Sequence, residues 1–164
     1  SYTMPLTRGI QGSTLTADNA GVATWQTHSY GSQSISNHSS ETVITQDIWT
    51  FVEGARNAGI LNDFAVFGSV IQYSGAVTKT FKLDTNLNGR LFRATLLCAQ
   101  LQGTIIQANV QYGQLDDSNS YPRNVSASCI VNVDPGDEIG VYAKNVEAAD
   151  NILVSYLSLT MSQV

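Results

Sequence analysis

From Glu41 onward, apolar and polar residues alternate in short runs. "TVITQDIWTFVE" is rich in β-branched and aromatic residues, and "FAVFGSVIQYSG" places Ala65, Phe67, Ser69, Ile71 and Tyr73 on one face. "TKTFKLD" follows, then a turn at "TNLNG". The longest apolar run, "RLFRATLLCAQLQ", sets Phe92, Ala94, Leu96 and Cys98 against Leu91, Arg93, Thr95 and Leu97. "TIIQANVQYGQL", a polar loop "DDSNSYPRN", "SASCIVNV" and "IGVYAKN" come next. In the closing run "NILVSYLSLTMS", Leu153, Leu157, Leu159 and Met161 share a face, with Ile152, Val154 and Tyr156 opposite. About eight strand-length runs broken by frequent turn signals predict an antiparallel sandwich or barrel. "EGARNAGILND" is the best helical window, but its two internal glycines leave it a loop or a single turn.

Residues 1–40 read differently. "RGIQGSTLTADNAG" and "SYGSQSISNHSS" are rich in Gly, Ser, Asn and Thr, and only "VATWQTHSY" between them carries bulky residues. Such a segment buries too little apolar surface to fold alone. The expectation is an extended arm over 1–40, with one or two short strands, and a β-sandwich over 41–164.

Composition narrows the function. Only 13% of the 164 residues are charged, while Ser, Thr, Asn and Gln make up a third of the chain, which suits sheet surfaces better than exposed helices. The net charge of −5, with three Lys and five Arg scattered, argues against a nucleic-acid partner. No run approaches the roughly 18 apolar residues of a membrane-spanning helix, so no membrane insertion is expected. The start at Ser1-Tyr2 fits either removal of a methionine or a fragment of a longer protein. The two cysteines, Cys98 and Cys129, lie on apolar strand faces and are expected as buried thiols.

Candidate chemistry is sparse. "DPGDE", Asp134 to Glu138, holds two adjacent carboxylates, but neighbours on a strand point to opposite faces. Pro, Gly and Asp are turn residues, so the expectation is a sharp corner between strands. "DTNLNG", Asp84 to Gly89, matches the first half of a calcium loop, yet the twelfth position, where a bidentate Glu belongs, is Thr95. The expectation is an Asx-rich strand connection, with a weak or shared cation site as the alternative. His28 and His38 both fall in the Ser-rich arm and read as solvated. No G-x-S-x-G, H-E-x-x-H or phosphate loop occurs, so no enzyme activity and no cofactor are expected. Trp25 and Tyr30 are candidate ligand-binding aromatics, of the kind that stack on sugar faces, while Trp49 is assigned to the core. Asn37 and Asn124 begin glycosylation-type triplets.

The second half of the chain resembles a known family. "NGRLFRATLLCAQLQGTIIQANVQYGQL", then "SASCIVNVDPGDEIGVYAKN", then "YLSLTM" look like the C1q/TNF-like jelly roll over about residues 64–164. Gly89 and Phe92 match its Gly-aromatic strand, Gly136, Asp137, Glu138 and Ile139 its corner, and Leu157 and Leu159 its closing strand. The resemblance implies an all-β antiparallel jelly-roll sandwich that works as a homotrimer. Such trimers recur in phage fibre heads and on virion surfaces, whose composition this chain shares.

The expected function is therefore a non-enzymatic virion structural or attachment protein of a phage: a receptor-binding head, or a capsid or capsid-surface subunit. Its arm would contact other virion proteins, and a cell-surface glycan is a further candidate partner. The alternative is a secreted C1q/TNF-like ligand or a glycan-binding adhesin tip. Ile152, Val154 and Tyr156 are the expected oligomer interface, because a last strand with two apolar faces leaves a patch that a monomer avoids. In the resembled family this strand face lies along the threefold axis.

Overall fold

The computed structural model describes residues 13–17, 20, 22–36, 41–90, 95–101, 104–105, 111–113, 123–145 and 151–164; within 90–123 it describes backbone pairing only. Asn37 and His38, and the side chains of Phe92, Cys98 and Tyr112, lie outside the described set.

The described residues contain strands and no helix. The strands are β1 (Ser13–Ala17), β2 (Ala23–Thr27), β3 (Tyr30–Ser36), β4 (Glu41–Thr42), β5 (Thr50–Phe51), β6 (Asn57–Asn62), β7 (Phe64–Phe67) and β8 (Val70–Tyr73). They continue with β9 (Lys79–Arg90), β10 (Thr95–Leu101), β11 (Thr104–Ile105), β12 (Gln111–Gly113), β13 (Arg123–Val133), β14 (Glu138–Asn145) and β15 (Ile152–Gln163). All pairings are antiparallel. One sheet runs β13-β9-β15-β3-β6, with β4 added beside β15. The other runs β11-β10-β14-β8-β7, with β12 on β10 and β5 on β14. The long strands β9, β10, β13, β14 and β15 alternate between the two sheets.

The inner faces meet in one apolar core. Phe81, Leu83 and Leu87 of β9 face Ile139, Val141 and Ala143 of β14, and all are fully buried. Phe64, Tyr73 and Phe81 close one end, with ring centroids 5.1–5.3 Å apart. The Tyr73 hydroxyl stays satisfied by donating to the Val77 carbonyl at 2.9 Å. Tyr73 is thus a core residue with a bonded polar tip.

The Asp134–Glu138 corner joins β13 in one sheet to β14 in the other. Pro135 and Gly136 occupy its centre, Gly136 has φ of 90°, and the Asp137 amide donates to the Asp134 carbonyl at 3.0 Å. These features match a type II turn, whose third position needs φ > 0. The Asp137 carboxylate accepts from the Asp134 amide at 2.8 Å, the Gly136 amide donates to the Tyr73 carbonyl at 2.8 Å, and the Tyr73 amide donates to the Asp137 carbonyl at 2.9 Å. The Asp137 carboxylate therefore helps build the corner.

Several expectations change. Residues 30–36 do not belong to an arm: β3 pairs with both β15 and β6, and Ile35 is fully buried. A strand of Gly and Ser qualifies because its neighbours supply the apolar mass. The part outside the sandwich sheets is the two-stranded β1-β2 ribbon. "FAVFGSVIQYSG" is a hairpin and not one strand: Gly68 has φ of 59°, and the turn leaves Ala65 and Phe67 exposed while Ile71 and Tyr73 are buried. "EGARNAGILND" ends in edge strand β6. Asp84–Gly89 is no connection at all, because it lies within the unbroken strand β9.

Strand β15 holds the most consequential difference. Its register on β9 slips between Val154 and Tyr156, leaving Ser155 as an extra residue. A bulge of this kind switches which residues face inward. Ile152 and Val154 are inward before it, and Leu157, Leu159 and Met161 after it; all five are fully buried. Ile152 and Val154 are therefore core residues and cannot form an oligomer interface. Tyr156, 44% exposed, is the one member of that trio on the outer face.

Candidate functional site

The outer face of the β13-β9-β15-β3 layer is the most distinctive surface. Its composition follows from strand alternation, since every second residue of these strands points away from the core. Strand β3 presents Ser32, Ser34 and Ser36, and β15 presents Tyr156, Ser158, Thr160 and Ser162. Strand β9 presents Thr80, Lys82, Asp84, Asn86 and Asn88 opposite Asn132, Ile130, Ser128, Ser126 and Asn124 of β13. Two cross-strand rungs tie it together: Thr80 Oγ1 donates to Asn132 Oδ1 at 2.8 Å, and Asn88 Nδ2 to Asn124 Oδ1 at 2.7 Å.

Most side chains of this face are short. The small residues of β13 and β15 leave an open hollow of about 330 Å³ around Asp84, Asn86, Ser126, Ser128, Ser158 and Thr160. Asp84 Oδ2 lies 2.9 Å from Lys82 Nζ. Partial burial opposes ionisation of Asp84, but the Ser128 hydroxyl and Lys82 outweigh it and hold the carboxyl below the usual carboxylate range. Three bulky side chains belong to the face: Tyr156, Ile130, which is 65% exposed, and the half-buried Tyr30 at the start of β3.

Strand geometry also rules on the calcium-like sequence. Asp84, Asn86 and Asn88 share the outer face but stand about 7 Å apart along the strand, because each residue advances about 3.4 Å. They form a row and do not wrap around one ion. Among the described residues, no group of three or more His, Cys, Asp or Glu side chains converges.

The remaining candidates are dispersed. Trp25, 40% exposed, is on the ribbon opposite Leu15, whereas Tyr30 begins β3 between Asn62 and Ser162. They occupy different sheets. His28 is exposed, with Nε2 3.0 Å from Thr14 Oγ1. Cys129 is a half-buried thiol packed against the core. Trp49 is only half-buried, and Lys144 Nζ sits 5.5 Å from its ring centre. Tyr142 packs edge-on against Phe51 at 5.3 Å.

A second polar cluster holds the sandwich corner. Asp63, in the left-handed region with φ of 61°, joins β6 to β7. Its carboxylate accepts from the Ser29 hydroxyl at 2.5 Å and lies 3.3 Å from Lys79 Nζ. The Ser29 hydrogen bond, opposed by partial burial and aided by Lys79, keeps this carboxyl below its ordinary range.

The overall architecture has counterparts among solved structures. The PRD1 vertex protein P5 superposes with a TM-score of 0.57 over 83% of this chain and 96% of that chain, at 12% identity. The globular domain of zebrafish complement 1qA protein gives 0.53 over 84% and 96%, at 8% identity. Murine APRIL gives 0.50 over 81% and 98%, at 11% identity. The chain has the C1q/TNF-like jelly-roll fold. The C1q/TNF-like corner expected at Gly136–Ile139 is the crossover from β13 to β14, and the expected closing strand is β15. No family model and no curated protein sequence matches the chain. Sequence reasoning missed the outer face because its pattern, Ser and Asn at alternate positions, carries no motif. Its only signal was the alternation itself within "KLDTNLN" and "SASCIVN".

Proposed function

We propose that this C1q/TNF-like chain is a non-enzymatic structural or attachment protein of a phage virion, working as a homotrimer through the outer face of the β13-β9-β15-β3 layer. The observation that carries this reading is the chemistry of that face. Among the described side chains of these four strands, this face carries a single, internally paired Lys82–Asp84 couple. Charge depletion with a few apolar anchors is the pattern of interface centres. Tyr156 suits such a place, because its ring packs while its hydroxyl keeps a partner or water. A closed cyclic arrangement lets the copies cover one another without open-ended growth.

The similarity to a vertex protein supports a position on a virion, either as a capsid-surface subunit or as a receptor-binding head. The ribbon, outside both sandwich sheets, is the natural contact to other virion proteins, and its half-exposed Trp25 offers a stacking surface for a cell-surface glycan. Labelling purified particles with antibody raised against this chain, followed by electron microscopy, tests the assignment. Regular label on particles is expected; unlabelled particles from cells that express the chain contradict it.

A second reading is a secreted ligand or adhesin tip. The similarity to zebrafish complement 1qA and the exposed Asn124, which begins the Asn124-Val125-Ser126 triplet, favour it. A glycan found on Asn124 by mass spectrometry of secreted protein would support this reading over the first.

A further inference from the structure

Lys82 and Asp84 are the only charged side chains on the outer face of β3, β15, β9 and β13 among the described residues, with Glu41 of β4 flanking that face beside Leu153 of β15. They stand two residues apart on β9, 2.9 Å at closest approach, and Asp84 also accepts from Ser128 on β13. Every other polar side chain lining the hollow is a neutral hydroxyl or amide. In a lone protomer the pair is about half exposed, at 52% and 44%, and such a pair adds little to stability. Under a second copy the situation changes. A desolvated ion pair is tolerated, whereas removing one partner leaves an uncompensated buried charge. Among the described side chains of β15, β3 and β13, no carboxylate shares this face to replace Asp84 and no lysine or arginine replaces Lys82.

We infer that the mutual neutralisation of Lys82 and Asp84 determines whether this face can close against another copy of the chain. The inference rests on the assembly reading above and names the specificity-determining residues within it. Asp84 sets the condition: it cancels the Lys82 charge and, through Ser128, fixes β9 to β13 at the hollow. A face carrying Lys82 alone would bury an unpaired charge against each neighbour.

The test is a double-mutant cycle on the full chain, read by sedimentation velocity over a concentration series. Asp84→Asn and Lys82→Gln should each raise the dissociation constant by at least about a hundredfold. The double variant, with no charge left to bury, should return to within about tenfold of wild type. Circular dichroism should show the same β-rich fold in all four proteins, since the pair is solvated in the protomer. An assembled wild type with Asp84→Asn and Lys82→Gln unchanged would overturn the inference and leave the assembly reading standing. A double variant as dissociated as the single variants would also overturn it, because lost contacts and not unpaired charge would then be responsible. A monomeric wild type would overturn the assembly reading itself.

Discussion

A Cβ placed on Gly89 would lie 2.1 Å from the carbonyl oxygen of Leu153. Strands β9 and β15 meet so closely here because Gly89 pairs with Val154 immediately before the bulge. The missing side chain makes room for β15 to gain Ser155, and that extra residue decides which side chains of the closing strand are core. Gly89→Ala pushes against backbone, which cannot rotate away. It should destabilise the fold by about 3 kcal/mol, the upper end for overpacking, as read by urea denaturation.

Gln33 faces the core on β3 at 2% exposure, and neither polar atom of its side chain has a hydrogen-bond partner. A buried amide without partners carries its desolvation penalty uncompensated. Gln33→Met keeps a similar shape and removes that penalty. The variant should be more stable by about 1–2 kcal/mol in the same denaturation experiment.

Asp63 predicts an acid limb of stability. Its folded carboxyl titrates below the ordinary value, chiefly because of the Ser29 hydroxyl. The unfolded chain therefore binds the proton more readily. The Asp63 contribution is complete above the unfolded value, roughly pH 4, and is lost as pH falls through the folded value. Asp63→Asn, whose side chain also tolerates the left-handed backbone, should flatten this part of the stability profile. Thermal melts of both proteins between about pH 2 and pH 7 check it.

Deletion separates ribbon from sandwich. Removing residues 1–28 leaves Ser29, the Asp63 contact and all of β3, so a cooperative melt should survive. Removing residues 1–38 takes Ile35 from the core and strips β15 and β6 of their shared neighbour. That protein should lose its cooperative transition in calorimetry.

The sandwich was legible in the chain because alternation is a direct consequence of strand geometry. The Asp134–Glu138 corner was legible because Pro and Gly restrict the backbone locally. Harder to read were features set by distant partners. After Tyr30, strand β3 is a run of Gly, Ser and Gln with one isoleucine, and only β15 and β6 on either side make it a sheet member. The bulge at Ser155 depends on Gly89, more than sixty residues earlier, so a fixed two-residue period assigned Ile152 and Val154 to the wrong face. The turn at Gly68-Ser69 was hidden inside an alternating run, where one glycine resembled an ordinary strand position. The outer face lacked any motif, since its meaning lies in the charges it omits.

The assembly claim is tested most directly by sedimentation equilibrium of the intact protein at micromolar concentration, alongside Tyr156→Lys. Tyr156 is 44% exposed on the outer face, so the change should leave the fold of the protomer intact. The wild type is expected at about three times the 17.6 kDa chain mass, and Tyr156→Lys near the single-chain mass with an unchanged circular dichroism spectrum. A wild type that sediments at the single-chain mass, with Tyr156→Lys indistinguishable from it, would contradict the account.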